Sequence, residues 1–236
     1  MSESRFHETS VAIDAPIEDV WKALTEAPDL ARWFAPNITV EPGAGGSITV
    51  GWGPGLEGKT VIEVWEPRRH LRLVESREGV RLVQDYYLEA AAGKTVLRLV
   101  HSGFGSSEDW DQEYEGTRGG WPICFFRLQQ GLEHHRHHSV YNVLLPSQCP
   151  GVDPREALQR IEAAAPRNMQ IALHTTSEFC GLLPDHNHSI LSVSTQPSPT
   201  GSVAYLELLL FGLSPAESLA VENEWKAKLQ QLFPEK

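Results

Sequence analysis

The hydrophobic residues near the N-terminus follow first a strand period and then a helix period. In SVAIDAP, Val11 and Ile13 alternate with small or polar residues before Pro16, which predicts a short strand that ends where a helix begins. The next apolar side chains recur at i, i+3, i+4 and i+7 and predict an amphipathic helix: Ile17, Val20, Trp21 and Leu24. Pro28 separates this helix from a second, short one with three large apolar residues: Leu30, Trp33 and Phe34.

Between residues 37 and about 104 the pattern changes to short runs of Val, Ile, Thr, Leu and Tyr separated by glycine and proline. This spacing is typical of an antiparallel meander of about six strands. One stretch, GPGLEGKT, also fits the phosphate-loop pattern G-x-x-x-x-G-K-[ST]. It is followed by β-branched residues and Pro67, whereas a phosphate loop requires an amphipathic helix there. We therefore interpret residues 51–58 as a connection between two strands.

A long helix is predicted after the meander, with a restarted first turn after Gly119 and Gly120. Its apolar stripe runs at i, i+4, i+7 and i+11: Trp121, Phe125, Leu128 and Leu132. The order of elements is then a strand, two helices, antiparallel strands and a long helix, which indicates an α+β fold. A curved antiparallel sheet needs its concave face covered, and a long helix with large aromatic residues covers it while leaving space beneath.

Three segments resemble the START-like, SRPBCC superfamily, whose helix-grip fold is shared with the birch-pollen allergen. They are SVAIDAPIEDVWKALTEAPDLARWF, TVLRLVHSGF and the Gly-Trp of GGWPICFFRLQQGLE, within residues 5 to 136. They most resemble the branch similar to the C-terminal domain of the heat-shock-protein-90 ATPase activator. The resemblance implies a hydrophobic cavity between sheet and long helix that binds lipids, polyketides or other apolar molecules. It implies no shared reaction, because members include carriers, receptors, cyclases and co-chaperone modules.

The C-terminal hundred residues predict a strand, a helix, three strands and a final helix. Their last strand, short polar link and terminal helix parallel the end of the first segment. We expect a START-like domain over residues 1–140 and a smaller α+β domain over residues 141–236. The second domain is either a shortened second copy of the first or an unrelated appendage.

One histidine is a candidate functional residue. In TVLRLVHSGF, Leu97, Leu99 and His101 share one face of the strand, so His101 is expected to face the cavity. There it would serve as a general acid or base, or as a hydrogen-bonding anchor for a polar group of a ligand. The alternative is a purely structural histidine.

In the neighbouring run RLVQDYYLE, successive side chains point to opposite faces of the strand, but this alternation does not show which face is the inner one. The resemblance favours Gln84 and Tyr86 inward, which sends Asp85 and Glu89 outward and weakens any acid–base proposal built on those carboxylates.

Five aromatic residues are candidate walls of the cavity, since apolar ligands are held mostly by aromatic and aliphatic side chains. They are Trp33, Phe34, Trp65, Trp121 and Phe125, of which we expect about half to touch a ligand. The run EHHRHH spaces His134, His137 and His138 as a helical metal chelate would, but we interpret it as a solvated helix end. We accordingly predict no metal and no cofactor.

Composition narrows the classes of partner. The 236 residues carry a formal net charge of −11 with scattered lysines and arginines, which argues against nucleic acid as a partner. No apolar run approaches the roughly 20 residues that cross a bilayer, so we expect no membrane insertion. The three cysteines form no C-x-x-C pair and the first residues lack a secretory pattern, so a cytoplasmic location is expected.

Three functions remain open. The first is a binding module for a small hydrophobic ligand (a lipid, polyketide or aromatic metabolite) that acts as carrier, sensor or regulator. The second is an enzyme similar to polyketide cyclases or dehydratases, with His101 and Tyr86 as acid–base groups. The third is a chaperone-interacting module, which adds a protein partner or a homodimer to the small apolar molecule as expected partners.

Overall fold

The computed structural model describes residues 5–77 and 79–234. The chain forms two compact units, one up to Arg136 and one from His137 onward. Within the described ranges, no helix is both long enough and apolar enough to cross a membrane.

In its described residues, the first unit contains a seven-stranded antiparallel sheet, three α-helices and one short 3₁₀ helix. Its strands are β1 (Arg5–Ile13), β2 (Asn37–Glu41), β3 (Ser47–Gly51), β4 (Glu57–Glu66), β5 (His70–Arg77), β6 (Val80–Ala91) and β7 (Lys94–Phe104). Its α-helices are α1 (Ile17–Thr25), α2 (Ala27–Leu30) and α3 (Asp111–His134). The strand order is β1-β7-β6-β5-β4-β3-β2, so the first strand pairs with the last.

Helices α1 and α3 pack on one face of this sheet, which we call the inner face. It carries the buried residues Leu71, Leu97 and Leu99. Helix α1 buries Val20, Trp21 and Leu24, which lie on one side of the helix because of their spacing. Helix α3 buries the stripe of Trp121, Phe125 and Leu128, and it is continuous through Gly119 and Gly120, where we had expected a restarted turn. The first unit is therefore the α+β helix-grip fold that the element order predicts.

Up to residue 234, the second unit contains a five-stranded antiparallel sheet, two α-helices and one short 3₁₀ helix. The strands and α-helices are β8 (Val140–Pro150), α4 (Pro154–Ala164), β9 (Gln170–His174), β10 (Glu178–Leu183), β11 (Ser189–Ser198), β12 (Gly201–Phe211) and α5 (Pro215–Leu232). The prediction of three strands between the helices was wrong, because β10 is a further strand. The residues of β10 are almost all buried, so it shows no alternation of apolar and polar positions by which the sequence would reveal it.

The two sheets share one connectivity. The second has the order β8-β12-β11-β10-β9, in which the first strand again pairs with the last and the remaining strands follow in reverse order. A terminal helix follows the last strand in each unit. The hypothesis of a shortened second copy requires this connectivity, and it stays a prediction.

Candidate functional site

A cavity of about 190 Å³ lies on the inner face of the first sheet. Its floor comes from strands β3 to β6, and its other wall comes from α1, α2 and the turn that follows α2. Most of the lining side chains are apolar: Leu24, Leu30, Trp33, Phe34, Ile48, Val50, Trp52, Leu71, Leu73 and Tyr86. The polar and glycine positions in the lining are Gly58, Lys59, Thr60, Glu75 and Gln84.

The turn after α2 provides two aromatic residues of this wall. Trp33 is buried and its Nε1 donates a hydrogen bond to the carbonyl oxygen of Ala23 at 2.8 Å, which fixes the indole against α1. The ring of Phe34 lies 5.4 Å from that of Trp52 and stacks on Trp121, with ring centroids 5.8 Å apart and planes at 8°. The wall is thus built of aromatic rings that hold one another in place.

Gln84 and Tyr86 form the polar part of the floor. Both lie on the inner face of β6, and the Tyr86 hydroxyl donates to Gln84 Oε1 at 2.9 Å. Burial, with a smaller effect from Cys124, raises the pKa of Tyr86 well above its ordinary value. The phenol therefore stays protonated and serves as a neutral hydrogen-bonding group.

The segment that spells a phosphate loop contributes to the cavity as part of a hairpin. Residues 52–56 connect β3 to β4, and Gly58, Lys59 and Thr60 belong to β4. The segment therefore continues into a strand, where a phosphate loop would continue into a helix. Sequence reasoning missed Ile48, Val50 and Trp52 as lining residues, although Ile48 and Val50 alternate along β3 and Trp52 continues the same spacing just after it.

The long helix does not line the cavity directly. We had expected the cavity to lie between sheet and long helix, but the described lining contains no residue of α3. The buried side chains of α3 include Trp121 and Phe125, whose rings lie 6.1 Å apart. Trp121 reaches the cavity through two lining residues, by its stack on Phe34 and by an edge-on contact with Tyr86 at 6.0 Å.

His101 lies on the inner face but outside the cavity lining. It is buried, and its Nδ1 accepts a hydrogen bond from Trp121 Nε1 at 3.1 Å. Burial, together with the neighbouring His7, lowers the pKa of His101 to about 3. The imidazole is therefore neutral at pH 7.

Trp65 also faces inward without reaching the cavity. It pairs in register with Leu71, and its ring packs edge-on against Trp21 of α1 at 5.2 Å. Of the eight predicted site residues, the structure thus brings four to the cavity, namely Trp33, Phe34, Gln84 and Tyr86. It places the other four, Trp65, His101, Trp121 and Phe125, outside the lining. That any of them contacts a ligand stays a prediction.

The histidine-rich run begins at the end of α3, whose last residue is His134. Across the described residues, no three or more His, Cys, Asp or Glu side chains are grouped so as to hold a metal ion.

The fold and the inner-face cavity define a START-like protein of the SRPBCC class. Residues 14–133, just over half of the chain, match the family described as activator of Hsp90 ATPase homolog 1-like protein. The chain belongs to this family.

Several solved structures are similar to this chain. The Aha1 dimer of Colwellia psychrerythraea has 18% identity and a TM-score of 0.49, over 55% of this chain and 97% of that one. DynU16, a protein of the dynemicin biosynthetic locus, has 20% identity and a TM-score of 0.49, over 95% of this chain and 96% of that one. CalU16 of Micromonospora echinospora has 25% identity and a TM-score of 0.47, over 56% of this chain and 78% of that one. No curated protein matches the chain.

Proposed function

We propose that the first unit binds a small, mainly apolar molecule in the inner-face cavity, as a carrier, sensor or regulator. The observation that carries this proposal is the cavity itself, because a buried space lined by aromatic and aliphatic side chains with a few polar groups is typical of ligand sites. Membership of the family supports the same function.

The volume limits the size of the ligand. An apolar cavity of about 150 Å³ in another protein accommodates benzene. The cavity here has about 190 Å³, which suits a molecule of one or two rings, or an aliphatic group of similar size. A long lipid chain would need further space, so among the expected ligands we favour an aromatic metabolite or a small polyketide.

The polar groups indicate a ligand without a charge on its buried part. On the floor of the cavity lie the neutral Gln84 amide and the protonated Tyr86 hydroxyl. The charged lining residues are Lys59, which is exposed, and Glu75, which is half-buried and already pairs with Arg77 at 3.6 Å. A buried charge without a partner would be costly.

The enzymatic alternative is less well supported by this geometry. It needs Tyr86 and His101 to act on one substrate, but Tyr86 lines the cavity and His101 lies outside its lining. The chaperone-interacting alternative has only the name of the family in its favour.

A matched pair of variants tests the binding proposal. Val50→Trp places a large ring in the cavity, and Thr49→Trp places the same ring on the opposite face of β3. Propylbenzene is titrated into the protein while the indole N–H signals of Trp33 and Trp52 are followed by NMR. We expect saturable shifts in the unmodified protein and in Thr49→Trp, and a loss of binding of at least about tenfold in Val50→Trp. No shifts in the unmodified protein, or equal affinity in both variants, would overturn the proposal.

A further inference from the structure

Two histidines lie side by side on the inner face, beyond Gln84. His7 of β1 pairs in register with His101 of β7, and His101 pairs in register with Gln84 of β6. The two imidazole rings have centroids 5.3 Å apart and planes at 76°. His7 is 6% exposed and His101 is 3% exposed, so water reaches neither ring freely.

The contact with Trp121 determines the tautomer of His101. An indole N–H only donates, so His101 Nδ1, which receives the hydrogen bond, carries no proton. The neutral ring therefore holds its proton on Nε2. This N–H is buried and has no hydrogen-bond partner among the described residues.

The tautomer of His7 is inferred from Thr117, whose hydroxyl has two backbone carbonyl oxygens to donate to, those of Glu113 and Tyr114. The Thr117 hydroxyl donates to the carbonyl oxygen of Glu113 at 2.9 Å, and it lies 3.0 Å from His7 Nε2. Because its single proton is already donated, it accepts from His7 Nε2–H. His7 Nδ1 is thus an unprotonated acceptor, also buried and without a partner in the described part of the chain.

The pair consequently presents one buried donor and one buried acceptor. A hydroxyl group can satisfy both, because it accepts one hydrogen bond and donates another. One oxygen about 2.9 Å from each of two nitrogens requires those nitrogens to lie within roughly 5.8 Å of each other, and the centroids of the two rings are 5.3 Å apart.

The surroundings make the pair selective for a neutral group. Aromatic rings enclose it: Phe104 lies 4.6 Å from His101 and 5.5 Å from His7, and Tyr114 lies 5.6 Å from His7. Burial lowers the pKa of both histidines, with Arg118 as a further cause at His7. An anion would find no positive charge on either ring at pH 7.

We propose that His7 and His101 form a two-point site for one hydroxyl group, which accepts from His101 Nε2–H and donates to His7 Nδ1. The hydroxyl comes either from a water molecule or from a ligand in the neighbouring cavity. The second source rests on the proposed function, whereas the first does not.

The main experiment needs no substitution. The full chain with ¹⁵N-labelled histidine is examined at pH 7 by long-range ¹H–¹⁵N correlation, with His101 assigned through its proximity to the Trp121 indole. We expect both residues to be neutral with the proton on Nε2, and an Overhauser contact from a bound water to both rings. Protonation of His101 on Nδ1, or rings that contact neither water nor ligand, would overturn the site.

Two compounds that differ by one hydroxyl distinguish the sources. If the ligand supplies the group, 4-propylphenol replaces the water contact and binds about five- to tenfold more tightly than propylbenzene. His101→Phe then removes that preference, while the exposed His174→Phe retains it. If water supplies the group, the water contact persists with both compounds and neither is preferred. If neither compound shifts the Trp33 or Trp52 signals, the cavity proposal fails and the water contact alone decides the histidine site.

Discussion

The Asp85 carboxylate accepts two hydrogen bonds from the Arg72 guanidinium, at 2.7 Å from Nε and 3.1 Å from Nη2. His70 Nε2 lies 2.6 Å from the same carboxylate. Asp85 is 6% exposed although it lies on the face of β6 opposite Gln84 and Tyr86. Burial acts to raise the pKa of Asp85, but the hydrogen bonds from Arg72 and His70 outweigh it and lower the pKa.

Arg72→Met should therefore destabilise the first unit by about 2 kcal/mol at pH 7, because it leaves a buried carboxylate with one partner fewer. Urea unfolding measures the change. The control is Arg98→Met, which breaks an exposed ion pair with Glu8 on the same sheet and should cost less than about 1 kcal/mol.

The pH dependence of this effect has a defined sign. The folded pKa of Asp85 is lower than its ordinary 3.8, so the ion pair contributes its full stability above that pH and loses it as the pH falls further. The difference between the unmodified protein and Arg72→Met should shrink below pH 3.8. A constant difference down to pH 3 would contradict the ion-pair explanation.

The placement of Asp85 illustrates what the sequence can and cannot predict. Alternation along β6 groups Gln84 with Tyr86 and sets Asp85 apart, because successive side chains point to opposite faces. The partners of Asp85 lie on β5, and only the cross-strand register brings Arg72 opposite Asp85. No pattern within one strand contains that register, so the buried ion pair was missed.

The cavity is a second feature that the sequence predicts only in part. The aromatic residues of the turn after α2 could be predicted because they stand out in the sequence. Whether an inward aromatic residue meets empty space or another side chain depends on packing between distant elements. Trp65 is an example, since Trp21 of α1 covers it. The order of elements in the first unit, by contrast, depends on local periodicity and was predicted correctly.

His101 makes the folded protein sensitive to acid. The folded state binds a proton on this ring only near pH 3, whereas the unfolded chain binds one near pH 6.5. Stability is therefore fully present above pH 6.5 and falls as the pH drops towards 3, with a slope of up to about 1.4 kcal/mol per pH unit.

Replacing His101 removes this contribution. Between pH 5.5 and 4, the unfolding free energy of His101→Phe should fall less steeply than that of the unmodified protein, by about 1 kcal/mol per pH unit. The exposed His174→Phe should keep the original slope. Equal slopes in all three proteins would show that His101 is not a neutral buried group.

Glu178 gives the second unit a pH dependence of the opposite sign. Burial raises the pKa of this β10 residue from 4.5 to about 7. Its contribution to stability is thus fully present below pH 4.5 and is lost as the pH rises through about 7. The shift corresponds to roughly 3 kcal/mol at most.

Glu178→Gln should abolish that loss. Hydrogen exchange of the β11 amides, measured at pH 5 and pH 8.5 and corrected for intrinsic rates, reports the stability of the second sheet. We expect the unmodified protein to lose more protection than Glu178→Gln at the higher pH. Glu156→Gln, which replaces an exposed helical carboxylate, should behave like the unmodified protein. Identical losses in all three would contradict a buried, protonated Glu178.

Gly103 holds β7 in a conformation that another residue would strain. Its φ is +92°, and a Cβ atom added there would lie 2.0 Å from the carbonyl oxygen of Arg81. Gly93, in the turn between β6 and β7, has a similar φ of +82° but no described heavy atom within 4 Å of an added Cβ. Substitutions at the two glycines therefore separate the effect of backbone conformation on stability from the effect of steric contact.

Gly93→Ala should cost about 1 kcal/mol, the usual penalty of a positive φ for a residue with a side chain. Gly103→Ala should cost at least about 2 kcal/mol more, because β6 and β7 must also move apart beside Arg81. Urea unfolding of both variants gives the comparison. Phe104, the next residue, packs on both His7 and His101, so Gly103→Ala should also shift the histidine ring signals. Equal losses of unfolding free energy in the two variants would mean that β6 and β7 can separate at Gly103 without strain.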